Sequence, residues 1–241
     1  MLGILIPYHS CFELLPFQLE NLRQYIKADY KVYVIDNSLT HQPPHPDVVW
    51  VVSDAQGAPS ERHQNSINKG LLRAWEECSC FLLFDNDMIF CSEFRLPSMP
   101  YYLPQQRGNW KYGWLNLMFF QKHDQLRHFD FAKCPDTGER TDSGGSFGHY
   151  LRLGKLCAQI NHLRNDYPLL QEYQEEYNAL CKKFSIHPWW DIFSMNGALI
   201  FHFRALSNWT KYPEEFQKEK KALIFSCLEK ICEPVDGSRV S

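Results

Sequence analysis

The chain has 241 residues, 44% of them hydrophobic and 15% aromatic, with 25 Lys plus Arg against 28 Asp plus Glu for a net charge of −3. That apolar content is enough for a buried core and excludes intrinsic disorder, while the slightly acidic balance argues against a protein that coats nucleic acid, which needs a basic footprint. No apolar run approaches the roughly 20 residues that span a bilayer, so no membrane span is expected.

The first half alternates strand and helix patterns, the signature of parallel βαβ units and an α/β fold. Leu2 to Ile6 is a short apolar run stopped by Pro7; it lacks a basic leader and reads as a buried first strand rather than a signal peptide. Glu13 to Lys27 carries Leu15, Leu19, Leu22 and Ile26 at helical spacing. Lys31 to Ile35 is β-branched and aromatic, and ends in the turn signal Asp36-Asn37-Ser38. Val48 to Val52 predicts a third strand, and Ser60 begins a helix whose apolar face is Ile67, Leu71 and Trp75. Phe81 to Phe84 is a fourth buried run that ends directly on Asp85.

Farther on, Pro97, Pro100 and Pro104 mark a loop, and Trp114 to Phe120 predicts a strand. Cys134 to Gly148 reads as a loop, with Gly144 and Gly145 able to make a turn. Helices are expected over Tyr150 to Leu163, Leu169 to Phe184 and Glu214 to Ile231, with a late strand over Ala198 to Phe203. Nine cysteines, an odd number, point to free thiols in a reducing compartment, and the expected location is the cytoplasm.

The segment FLLFDNDMIF places Asp85 and Asp87 just past a buried strand. Ligands of open α/β sheets bind outside the carboxyl ends of strands. Two carboxylates that close repel each other unless a cation lies between them, and Mg²⁺ or Mn²⁺ commonly bridges such groups to phosphates. The plain alternative is that Asp-Asn-Asp is a solvated turn.

Three blocks in order carry a resemblance. GILIPYHS, VYVIDNS and GAPSERHQNSINKGLLRAWEECSCFLLFDND, with Gly57, Ser60, Arg62, Asn68 and Gly70, resemble the first 90 residues of family-2-like glycosyltransferases of the GT-A fold, which carry a DxD motif. TDSGGSFGHYLRLGK and ALIFHFRALSNW resemble that family's later blocks more loosely. The small viral and bacterial enzymes are the nearest resemblance, including rhamnosyltransferase-like domains of large algal viruses; a virus-encoded chain would work in the host cytoplasm.

The resemblance implies one GT-A domain over residues 1–241, with a central, mostly parallel twisted sheet flanked by helices. Residues 1–90 would form the nucleotide-binding half, 91–210 the donor-sugar and acceptor half, and 211–241 a closing helix and tail. It implies transfer of a sugar from a nucleotide-diphosphate donor to a glycan hydroxyl, with UDP the default carrier and GDP or dTDP open, and with inversion at the anomeric carbon. Asp87 would bind the metal directly, Asp85 the metal or a ribose, and His202 would supply an imidazole. Pro7, Tyr8, Asp36, Arg62, Asn68 and Asn86 would line the donor site. The base would be Asp142, with Asp136 in PDTG and Asp191 in HPWWD as alternatives. Trp189 and Trp190 could stack an acceptor sugar or fill a core. Two other functions share these features: a haloacid-dehalogenase-type Mg²⁺ phosphatase, and a nucleotide- or glycan-binding protein without turnover.

Overall fold

In the computed structural model, which describes residues 1–53, 57, 59–102, 116–129, 168–188, 191–203 and 212–232, the first element is strand β1 over Leu2–Tyr8, buried throughout. It lies between β2 (Tyr30–Asp36) and β4 (Cys80–Phe84), parallel to both. A strand covered on both faces reads as an unbroken apolar run, which is why LGILIPY shows no alternation. The expected stop at Pro7 is corrected: β1 continues to Tyr8. Pairing with β4 ends at Leu5, so around Pro7 the strand bonds only to β2, and the missing proline N–H falls where one side needs no partner.

Strand β3 (Val49–Val52) adds in parallel outside β2. Beyond β4 come β7 (Leu117–Gln121) and then β6 (Tyr101–Tyr102), both antiparallel to their neighbours. The order β3-β2-β1-β4-β7-β6 makes a mixed six-stranded sheet. Its first four strands are parallel, as expected, and β6 is an addition within the region read as a loop. Strand order reverses between β1 and β4, which is the topological switch point where open α/β sheets bind ligands.

Helix α2 (Pro59–Ala74) packs on β1, β2 and β3. Ile67 and Leu71 turn inward with Leu5, Tyr33 and Ile35, and Trp75 stacks on Phe81 at 5.3 Å between centroids. Gly70 allows the helix this close, because a Cβ there would sit 2.8 Å from Ile35 Cγ1 and 2.9 Å from Leu5 Cδ2. At the far end of the core, Asn68 grips the backbone of Phe129: its amide donates to the Phe129 carbonyl and its oxygen accepts from the Phe129 N–H, both at 2.8 Å.

The chain divides into two compact units. The unit just described comprises Met1–Ser10, Lys27–Asn86 and the described residues of Phe94–Asn161. The other comprises Cys11–Ile26, Asp87–Glu93 and the described residues of His162–Ser241. It holds an antiparallel sheet of β5 (Met88–Phe90), β9 (Ala198–His202) and β8 (Asp191–Met195), in that order, with helices α1 (Leu15–Tyr25), α3 (Pro168–Lys183) and α4 (Glu214–Cys232). Its core joins Ile89 and Phe201 to Tyr173, Tyr177, Phe216 and Ile224.

Strands β5 and β8 extend the sequence reading. The β8–β9 hairpin turns on Asn196 and Gly197, both at positive φ, the pairing that a two-residue type I′ turn requires. On its other side, β5 is bonded by helix side chains instead of a strand. Gln18 of α1 donates to the Met88 carbonyl at 3.2 Å. Asn21, three residues on, donates to the Phe90 carbonyl and accepts the Phe90 N–H, each at 2.8 Å. The three-residue strand after the Asp-Asn-Asp motif thus has its edge closed by an amide pair on one helix face.

Among the described residues, no helix is long and apolar enough to cross a membrane. Asp136, Asp142, the glycine-rich loop from Cys134 to Gly148, the helix expected over Tyr150 to Leu163, and Trp189 and Trp190 lie outside the described residues.

Candidate metal centre

Because β1, β2 and β4 are parallel, their carboxyl ends share one edge of the sheet. Tyr8 pairs in register with Asp36, and Asp85 follows the last residue of β4. Asn86 ties two of these ends together by donating to the Ser10 carbonyl at 3.1 Å. Pro7, Tyr8, Asp36, Asp85 and Asn86 are therefore gathered at the switch-point edge.

The Asp36 carboxylate is fully buried and already engaged by its own loop. One oxygen accepts from the Ser38 N–H at 3.0 Å and the Ser38 hydroxyl at 2.6 Å, and the other accepts from the Gln42 N–H at 2.7 Å. Burial would raise its pKa, but these bonds and His41 outweigh burial and hold the carboxyl below its ordinary value. Asp36 shapes the turn after β2. Asn68 is likewise committed to the Phe129 backbone. Arg62, in the first turn of α2, is half-buried, and its Nε is enclosed without a hydrogen-bond partner. A helix N-terminus with an unsatisfied guanidinium donor suits an anion.

Asp85 is held by two donors. His63 Nε2 lies 3.1 Å from one carboxylate oxygen, and the Asn116 amide donates to the other. The Asp85 N–H donates to the Asn116 carbonyl at 2.9 Å. His63 sits on α2 one turn before Ile67, and Asn116 immediately precedes β7.

Asp87 and His202 meet through strand register. Met88 of β5 faces His202 of β9, and the Phe203 N–H donates to the Asp87 carbonyl at 3.0 Å. The His202 Nε2 lies 3.0 Å from Asp87 Oδ1, with both side chains almost wholly enclosed. Asp191 of β8 faces His202 in the other register; its side chain lies outside the described residues.

Asp85, Asp87 and His202 each offer one ligand atom, all within 4.8 Å of one another, so the cluster could hold a metal ion. The fit can be tested on the Asp87–His202 pair. Adjacent ligands of an octahedral cation with bonds of about 2.1 Å lie about 3.0 Å apart, the separation observed. An ordinary hydrogen bond gives the same distance; the donor set, two carboxylate oxygens and an imidazole nitrogen, suits Mg²⁺ or Mn²⁺, which would offset the repulsion between the two carboxylates.

Lys220 carries no motif in the sequence. It lies on the buried stripe Phe216, Lys220, Ile224 and Leu228 of α4, at 1% exposure, with its Nζ 5.0 Å from the Tyr177 ring centre. Burial pushes its ammonium down to about 8, although Asp87 and Cys181 pull the other way. Burial also pushes the neighbouring Tyr173 hydroxyl well above its ordinary value, with Asp87 contributing. A polar residue on an apolar helix stripe was the available signal for Lys220, as it was for His63.

The chain is an α/β protein with a mixed six-stranded sheet, and its Asp85, Asp87 and His202 cluster could hold a metal ion. No family model matches this chain, and no curated protein matches it.

Proposed function

We propose that this chain is a metal-dependent glycosyltransferase of the GT-A type, moving a sugar from a nucleotide-diphosphate donor, UDP-linked by default, to a glycan hydroxyl. The observation that carries the reading is the Asp85, Asp87 and His202 donor set, with Asp85 directly after β4 in a sheet whose first four strands are parallel. Asp87 and His202 would hold Mn²⁺ or Mg²⁺ with Asp85. When bound, the cation supplies a Lewis acid that stabilises negative charge on the departing diphosphate. The Arg62 guanidinium, with its enclosed Nε, would orient phosphate oxygens. The ends of β1 and β2, at Tyr8 and the Asp36 turn, would form the floor for the nucleoside. Asp142 is the proposed base, accepting the proton of the acceptor hydroxyl with inversion at the anomeric carbon; Asp136 and Asp191 are the alternatives.

A haloacid-dehalogenase phosphatase is the poorer reading, since that motif follows a first strand and this one follows β4. The test is a thermal-shift series with Mn²⁺ and nucleoside diphosphates, singly and together. Ligands that bind only the folded state raise its stability by mass action. Stabilisation by UDP that depends on Mn²⁺, followed by metal-dependent hydrolysis of a UDP-sugar, is expected. Turnover of an aryl phosphate instead, or no response to either ligand, would overturn the reading; binding without hydrolysis or transfer would leave the non-catalytic alternative.

A further inference from the structure

We infer that His63 and Asn116 are positioning residues that set the carboxylate plane of Asp85 for the cation; this rests on the metal reading above. A carboxylate at a strand tip turns about two side-chain torsions, and a ligand that must be ordered on binding costs affinity. Here the ordering is done beforehand. His63 reaches one Asp85 oxygen at 3.1 Å from the second turn of α2, and Asn116 reaches the other from the start of β7. Donors on opposite oxygens fix the plane of the group.

Both supports are themselves rigid. Asn116 holds the Asp85 main chain as well, through the Asp85 N–H at 2.9 Å, and the next residue, Leu117, pairs with Phe84 in the β4–β7 ladder. His63 continues the inward stripe of α2 that Ile67 and Leu71 form against the sheet. Its ring keeps 19% of its surface and Asp85 keeps 13%, so the contact is enclosed but still borders solvent. Partners of this kind, behind metal-binding groups, typically change metal affinity by about 10–100-fold when removed.

The test measures Mn²⁺ affinity by calorimetry on the whole chain, with melting in EDTA as the control for folding. His63→Leu is expected to weaken Mn²⁺ binding about 10–100-fold, and His63→Gln, which keeps a donor, to recover most of it. Should His63→Leu fail to fold, Asn116→Ser decides the matter by the same readout. Variants that melt lower in EDTA yet bind Mn²⁺ like the parent would reduce His63 and Asn116 to structural residues and overturn the inference. A parent protein that binds no Mn²⁺ removes the metal reading itself, a different result from a parent that binds and variants that match it.

Discussion

Replacing Asn21 with leucine should destabilise the protein severely although it leaves no cavity. Asn21 is fully buried on α1, and its amide satisfies both backbone groups of Phe90, which is itself fully buried. Leucine keeps the branched outline of asparagine but is bulkier, so overpacking adds to the cost of two orphaned backbone groups. Each costs about 1–3 kcal/mol, which puts the total near 4 kcal/mol. For a chain of this size that corresponds to a fall in Tm of roughly 10 °C. Urea unfolding would register it as a lower midpoint at unchanged m, and hydrogen exchange would localise it to the Phe90 amide. A variant within about 1 kcal/mol of the parent would refute the reasoning, because it would mean that water or another group satisfies β5 unaided.

Three further outcomes are expected. Gly70→Ala gains about 1 kcal/mol of helix propensity but forces a methyl against Ile35 and Leu5 at a cost of about 1–3 kcal/mol, so urea melts should show a net loss; a gain would mean α2 can lift off the sheet freely. Asp87→Asn and His202→Ala should each abolish the Mn²⁺-dependent rise in Tm, which for the parent at 100 times Kd corresponds to about 2.7 kcal/mol; a retained rise places the ion elsewhere. Lys220 has a folded pKa of about 8 against an ordinary 10.5. Between those values the unfolded chain binds more protons, so its contribution to stability rises with pH by about 3 kcal/mol. Lys220→Met should flatten that part of the curve, and identical slopes for parent and variant between pH 8 and 10 would reject a buried ammonium.

Much of the parallel half was legible because its signals are long and redundant. The runs at Leu2, Lys31, Val48 and Phe81 are continuous and apolar, as strands covered on both faces must be. Short antiparallel strands were not legible from hydrophobicity. Met88–Phe90 is three residues long and reads as the tail of the motif, and Tyr101–Tyr102 is hidden among prolines. Asp191–Met195 could have been found, since Asn196-Gly197 flanked by apolar residues is a hairpin signal. At the site, Asp85, Asp87 and His202 were nameable in advance. Of the residues around them, His63 and Lys220 showed only as polar positions on apolar helix stripes, and Asn116 gave no signal. Asn68 and Asp36 illustrate the converse: polar residues in motif-like positions whose bonds go to Phe129, Ser38 and Gln42.

Strand lengths in the six-stranded sheet also bear on how the protein behaves before it is finished. Among the described residues, the outermost members, β3 with four residues and β6 with two, are the shortest of the six. Parallel strands assemble late and leave partly built intermediates open to sticking to one another. Borders this brief give a neighbouring molecule little length on which to template a ladder, so the geometry that completes the sheet also guards it against runaway association at high concentration.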